Sequence, residues 1–242
     1  RRSSDLAARA LPAKVVVGFV DATISKLLGL DPQREAPLSL VALGCGAAQP
    51  GLSSTSLEPL VLQTEPLSKT EVDYPAMRAM HEASSLASED EVVQWRAASD
   101  SHSGAQDDRS TNGGRRVFLK APSDDDVPSE TIEDVIVRRG STRQFARESI
   151  AFGQLSTLLG RATRGIPADF LSAGDSLNQL YLIAHAVDDL KPGAYVYRRD
   201  LHALELLKEG DFRRDAGDLG LGQDIPADCS VNVYFLADLN RV

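Results

Sequence analysis

The residues of this chain best suited to chemistry lie in positions 136–150, IVRRGSTRQFARESI, which hold four arginines, two serines and a threonine. The chain as a whole has 242 residues and a net charge of −9. A planar guanidinium matches the oxygens of a phosphate in two places, and a hydroxyl adds another donor. Arg139, Ser141 and Arg143, beside Gly140, therefore form a candidate phosphate site, with Arg138 as a weaker candidate.

Two simpler interpretations of this segment remain open. Basic residues at the end of a helix complement the negative end of its dipole, so the arginines could be an ordinary solvated helix end. A serine among arginines is also typical of a protein-kinase target. Charge alone favours the solvated helix end.

A second stretch, FLSAGDSLNQLYLI (residues 170–183), places Ser172, Ala173 and Gly174 before an apolar segment. Small residues in a loop allow a flat ring or a ribityl chain to approach the backbone. By itself the stretch is better explained as an ordinary turn. Together with the basic segment it favours a mononucleotide or flavin ligand.

The elements that position both stretches are predicted for residues 129–242. Ser129 is a candidate N-cap of a helix that would end at Gly140, and residues 152–165 have leucines at helical spacing (Leu155, Leu158, Leu159). Strands are predicted at 178–187, at AYVYRR, at ALELLKEG and at CSVNVYFLAD. A turn at Pro192-Gly193 follows the first strand, and a short helix at DFRRDAGDLGLGQ precedes the last.

The earlier part of the chain divides in two. Three elements are predicted within residues 1–46: a buried strand (AKVVVGFV), a short helix from an Asp21 N-cap to Gly29, and a second strand (APLSLVALGCG). Residues 47–128 are expected to form a linker, helical within 74–98 and disordered over the polar stretch 99–116.

Residues from about 131 to 240 resemble the N-terminal half of a nitroreductase-like domain, most closely its SagB-type dehydrogenase branch. The motifs RRGSTRQF, LSAGDSLNQLYLI, LKPGAYVYRRDLHALELL and LGQ occur here in the order of that branch. Residues 13–44 resemble the C-terminal end of the same domain type. The chain is thus expected to be a fragment that holds the tail of one copy (1–46), a linker (47–128) and the head of a second copy (129–242).

The resemblance implies an α+β fold, with an antiparallel or mixed sheet flanked by helices and incomplete in this chain. It implies FMN as cofactor, with its phosphate and ribityl chain held by Arg139, Ser141 and Arg143. The ring would lie against Ser172, Ala173 and Gly174. The implied activity is that of an FMN-dependent oxidoreductase, which oxidises azolines to azoles in peptides or reduces nitro or quinone compounds.

The implied partners are a small-molecule or peptide substrate, a nicotinamide cofactor as electron donor, and a second protomer or an intramolecular pseudo-dimer. This chain alone is expected to lack a complete site, and no catalytic acid or base is identified. Leu171 replaces an expected proline, Leu177-Asn178 replaces Tyr-Pro, and Lys14 stands among expected small residues. These departures favour a non-catalytic scaffold or peptide-binding copy as the alternative. An α+β module without a cofactor is a third interpretation, which the ordered run of motifs disfavours.

Composition and charge restrict the classes of partner and site that this chain can have. An acidic chain is a poor binder of phosphate backbones, so no nucleic-acid partner is expected. No apolar run reaches the length of a membrane span, and the four scattered histidines predict no metal site. The two distant cysteines, Cys45 and Cys229, indicate a reducing compartment and a cytoplasmic location.

Overall fold

The computed structural model describes residues 12–44, 58–61, 63, 69–101, 114–121, 130–172 and 175–237. These residues form two compact units. Unit one contains the described residues up to 101 together with 166–172, and unit two contains the described residues of 114–165 and 175–237. Ser129, Cys45, Ala173, Gly174 and the predicted disordered residues 102–113 lie outside the described ranges.

Unit one contains a small antiparallel sheet of β1 (Ala13–Val16) and β2 (Leu40–Leu43), in which Val15 lies opposite Val41. Between these strands, helix α1 (Asp21–Leu28) ends at Gly29, whose φ of 65° is the left-handed cap that its sequence predicts. The predicted N-cap was wrong. Val20 is the N-cap, and the Asp21 carboxylate accepts the backbone N–H of Leu86 at 2.8 Å.

A third extended segment lies along the edge of β1. The backbone N–H of Val15 donates to the Pro167 carbonyl at 2.8 Å, and the N–H of Asp169 donates to the Val15 carbonyl at 3.1 Å. These two bonds make a parallel bridge between Val15 and Ala168. Although β1 is half-buried rather than buried, it has backbone partners on both edges.

Two helices complete unit one, α2 (Pro75–Ser84) and α3 (Glu89–Ser101), which confirm the helical prediction for 74–98. Pro75 occupies the first turn of α2, where its missing N–H costs no helical bond. Acidic residues fill the first turn of α3, where they complement the helix dipole. Among the described residues of this unit, Phe19, Val92 and Ala168 are buried apolar side chains.

Unit two is built on a five-stranded antiparallel sheet with strand order β3-β6-β5-β4-β7. Its strands are β3 (Arg116–Phe118), β4 (Asn178–Ala184), β5 (Gly193–Arg198), β6 (Ala203–Glu209) and β7 (Val231–Ala237). Leu182 of β4 lies opposite Tyr195 of β5 on one side and Val233 of β7 on the other. Four of these strands were predicted from the sequence, whereas β3 lies in the stretch interpreted as linker.

Helix α5 (Phe152–Ala162) supplies the other half of the core. Leu155 and Leu159 are 1% exposed and belong to the same buried cluster as Leu180, Leu182 and Tyr195 of the sheet. Ser156 between them is also buried. Its hydroxyl donates to the Phe152 carbonyl and accepts the N–H of Lys120.

The other helices of unit two are short: α4 (Ile132–Arg138), α6 (Arg213–Leu219) and α7 (Asp224–Asp228). Thr131 caps α4 by accepting the N–H of Asp134 at 3.2 Å, whereas Ser129 was the predicted cap. The helix ends at Arg138, and Gly140 does not have the left-handed conformation expected of it. In the described part of the chain, every helix is too short or too polar to span a bilayer.

Candidate functional site

Two of the four arginines in the basic segment are held by carboxylates. Arg138, the last residue of α4, donates to Glu130 at 2.6 Å. Arg147, which has a φ of 60°, donates to Asp228 at 2.5 Å. These two side chains flank the predicted site in sequence, and each forms an ion pair within unit two.

Arg139, Ser141 and Arg143 are different. All three side chains are exposed, on a stretch without helix or strand, and none has a hydrogen bond or ion pair with any residue that the structure describes. Neither guanidinium group has a carboxylate partner among the described residues, so both remain available to an anion. Two forks and a hydroxyl within five residues are a donor set that fits a phosphate group.

The second predicted stretch is only partly described. Ser172 is half-buried and belongs to unit one, whereas Arg139, Ser141 and Arg143 belong to unit two. Ala173 and Gly174 lie outside the described residues. The contribution of Ser172, Ala173 and Gly174 to a common site with the arginines therefore stays a prediction.

Unit one contains an open cavity of about 380 Å³, lined by Lys14, Val16, Arg96, Ala168 and Asp169. The Asp169 side chain is only 4% exposed, and its charge is fully satisfied. One oxygen accepts the N–H of Val17 at 2.9 Å. The other accepts the N–H of Gly18 at 3.1 Å and the Nε–H of Arg96 at 3.2 Å. A buried carboxylate needs donors of this kind to offset its desolvation.

Arg96 is held at two of its three nitrogens. Besides its Nε bond to Asp169, its Nη2 donates to the Gly18 carbonyl at 2.7 Å. Gly18 is required at this position, because a Cβ there would lie 2.7 Å from the Trp95 ring. The Lys14 side chain is exposed and has no ion pair in the described residues. The cavity thus has two cationic groups, one neutralised carboxylate and an apolar wall.

Comparison with known proteins gives a structural neighbour only. No protein-family model and no curated protein matches the sequence. A crystal structure of a protein of Anabaena variabilis assigned as a nitroreductase superposes with a TM-score of 0.66 at 18% identity. The superposition covers 98% of this chain and 48% of the Anabaena protein, so the chain spans about half its length. The fold is nitroreductase-like.

Within this nitroreductase-like fold, one cluster in unit two has the residue types of a thiol nucleophile. The Cys229 Sγ donates to the Asn232 Oδ1 at 3.2 Å, and the Asn232 Nδ2 lies 3.1 Å from the His185 Nε2. Asn232 also donates to the Pro226 carbonyl at 2.8 Å. The geometry alone would allow a cysteine–histidine pair bridged by an amide.

The electrostatics of this cluster oppose such a role. Burial raises the pKa of the Cys229 thiol, and burial, followed by the charge of Arg213, lowers the pKa of His185. Both shifts favour the neutral forms, whereas a nucleophilic cysteine needs a lowered pKa and an exposed sulfur. The Nδ1 of His185 is buried without a hydrogen-bond partner. The cluster is therefore a packed polar contact between β4, β7 and α7 rather than a catalytic dyad.

Arg96 and Asp169, which line the cavity of unit one, were not indicated by the sequence. Their contacts join positions 73 and 151 residues apart, and no local spacing reveals such contacts. The only tryptophan of the chain, next to Arg96, was the one local signal of a packed site. The described residues contain no cluster of three or more histidine, cysteine or acidic side chains suited to a metal ion.

Proposed function

We propose that this chain is part of an FMN-dependent oxidoreductase of the nitroreductase type. The observation that carries the proposal is the pair of guanidinium groups, Arg139 and Arg143, which have no side-chain partner among the described residues and have Ser141 between them in sequence, on a nitroreductase-like fold. Bound FMN would supply hydride transfer, the two-electron chemistry that belongs to the cofactor rather than to the side chains.

In this proposal, the role of the chain's own side chains is to bind the phosphate of FMN. Arg139 and Arg143 would donate to the phosphate oxygens as bidentate forks, and Ser141 would add a hydroxyl donor. The ion pairs of Arg138 with Glu130 and of Arg147 with Asp228 hold the two ends of the segment. Both pairs are partly exposed and add little stability, yet they keep two further arginines from competing for the same anion.

The ring of the flavin would lie against Ser172, Ala173 and Gly174, as the SagB-type resemblance implies. In that setting the substrate is an azoline in a peptide, or a nitro or quinone compound, with a nicotinamide cofactor as electron donor. A second protomer, or the two copies acting as a pseudo-dimer, would complete the site.

The proposal is tested first by FMN binding. Purified protein should quench the fluorescence of added FMN in a saturable manner and release it on denaturation. Riboflavin, which lacks the phosphate, is the matched ligand control and should bind far more weakly, because the arginines have no anion to contact. Equal binding of both ligands, or no binding of FMN, contradicts the proposal.

A second candidate is a non-catalytic copy that binds a peptide. Strand β7 is the last strand at one edge of the sheet, and its Phe235 and Leu236 are exposed. An open strand edge of this kind can accept an extended peptide as an added strand. Turnover of nitroaromatics or quinones above the rate of free flavin would exclude this candidate, whereas peptide binding without turnover would favour it.

A further inference from the structure

We infer that the cavity of unit one binds a small ligand that carries a single carboxylate on an apolar body. This inference does not depend on the proposed flavin site, because Lys14, Val16, Arg96, Ala168 and Asp169 all belong to unit one.

The first argument is the orientation of Arg96. Two of its nitrogens are fixed, Nε by Asp169 at 3.2 Å and Nη2 by the Gly18 carbonyl at 2.7 Å. The remaining nitrogen, Nη1, has no hydrogen-bond partner among the described residues. A guanidinium that is already immobilised loses little entropy when it binds a further acceptor, so its free N–H groups are preorganised for a ligand.

The second argument is the charge of the cavity. Among the described lining residues, Lys14 and Arg96 contribute two positive charges and Asp169 one negative charge, so their net charge is one positive. The oxygens of Asp169 already accept three N–H groups, one of them from the Arg96 guanidinium, and need no further cation. A monoanion therefore neutralises the site, whereas a phosphate dianion would meet the nearby carboxylate with a surplus of negative charge.

The third argument is the apolar wall of the cavity. Val16 and Ala168 face the cavity from β1 and from the segment bonded to its edge. An apolar group gains free energy by covering such a wall. The carboxylate would be bound by the Arg96 Nη1 and the Lys14 ammonium, with its organic body against Val16 and Ala168.

Benzoate is the appropriate probe, and Trp95 supplies the readout. Trp95 is the only tryptophan in the chain and packs against Gly18, whose carbonyl binds Arg96. In nitrogen-labelled full chain, the single indole N–H resonance should shift in a saturable manner as benzoate is added. Neutral benzamide, of the same shape, should bind at least about tenfold more weakly, which is the effect of one charge-assisted hydrogen bond.

The matched variants are Lys14→Met and Lys26→Met. Both remove one exposed positive charge from unit one, but only Lys14 lines the cavity. Lys14→Met should weaken benzoate binding about tenfold, and Lys26→Met should leave it unchanged. An unchanged indole resonance of Lys14→Met without ligand shows that its fold is intact.

Three outcomes would overturn the inference: no saturable shift with benzoate, equal binding of benzamide, or equal benzoate binding by Lys14→Met and the wild type. Inorganic phosphate is the last ligand to be compared in this experiment. Tighter binding of phosphate than of benzoate would also overturn the inference, because it would show that the cavity selects a dianion without an apolar body.

Discussion

The carboxylate of Asp169 accepts the backbone N–H of Gly18 at 3.1 Å across 151 residues of sequence. The same side chain accepts the N–H of Val17 and the Nε–H of Arg96. One buried carboxylate therefore joins the end of β1, helix α3 and the segment that follows Pro167. This arrangement predicts that Asp169 is the most sensitive polar residue of unit one.

Asp169→Ala should lower the free energy of unfolding of unit one by about 2–4 kcal/mol, because two part-buried backbone N–H groups and Arg96 lose their acceptor. Urea denaturation followed by Trp95 fluorescence measures the loss, since Trp95 lies in this unit. Glu82→Ala, an exposed position on α2, is the control and should change stability by less than about 0.5 kcal/mol. Similar values for both variants would argue against the role of Asp169.

The core of unit two makes a separate prediction about neighbouring leucines of α5. Leu159 is 1% exposed, whereas Leu158 is 54% exposed. Leu159→Ala should cost about 2–5 kcal/mol through lost burial and a residual cavity, and Leu158→Ala about 1 kcal/mol or less. Urea unfolding followed by circular dichroism compares the two. Equal losses would mean that α5 is rotated relative to the structure described.

His185 makes the stability of unit two depend on pH. Burial first, and the charge of Arg213 second, lower its pKa below the ordinary value, against the opposing effects of the hydrogen bond to the Pro226 carbonyl and of the charge of Asp211. The unfolded chain therefore takes up this proton at a higher pH than the folded chain. The free energy of unfolding should fall as the pH drops below about 6.5 and level off once the folded histidine is also protonated.

His185→Leu isolates this contribution. The stability difference between wild type and variant should be largest near pH 8 and should narrow as the pH decreases through 6.5, because only the wild type gains the proton on unfolding. Urea denaturation at several pH values provides the comparison. A difference that stays constant over this range would show that His185 does not titrate between the two states.

The two pairs of arginines in the basic segment allow a matched test of the phosphate site. Arg139→Ala with Arg143→Ala should weaken FMN binding about a hundredfold, since each removes a charge-assisted contact of about tenfold. Arg138→Ala with Arg147→Ala removes the same net charge, but these side chains are bound to Glu130 and Asp228. That control should weaken binding only a few-fold.

Isothermal calorimetry with FMN distinguishes the outcomes of this comparison. If both double variants lose affinity equally, the effect is one of net charge, and the assignment of Arg139 and Arg143 as phosphate ligands is wrong. If neither loses affinity, the phosphate is held elsewhere in the chain.

Local patterns were sufficient for much of the fold. The left-handed Gly29 that ends α1 follows from a glycine after an amphipathic run, and the hairpin of β5 and β6 follows from two apolar strands around a short polar turn. The helical spacing of Leu155 and Leu159 predicted the buried face of α5, although Leu158 in the same spacing is largely exposed. Helical spacing identifies which face of a helix is buried, but not how wide a strip of that face the neighbouring elements cover.

Non-local contacts explain what the sequence did not predict. Strand β3 has only three residues, and it exists because Arg116–Phe118 pair with Ala203–Glu205 far along the chain. Short strands take their identity from such partners rather than from their own composition. The cavity of unit one has the same origin, because Lys14, Arg96 and Asp169 come from three separate regions of sequence. Arg139 and Arg143 could be predicted as phosphate ligands because their chemistry is visible in five consecutive residues, and FMN binding tests that prediction.

The chain leaves unit two after residue 165, contributes the segment at the edge of β1 to unit one, and returns to unit two by residue 175. No single cleavage of the polypeptide can therefore yield both units whole. Expression of residues 1–104 alone would lack Pro167 and Asp169, leaving the N–H of Val15 and the amides of Val17 and Gly18 without acceptors. Adding residues 166–173 as a synthetic peptide is the direct way to restore that half.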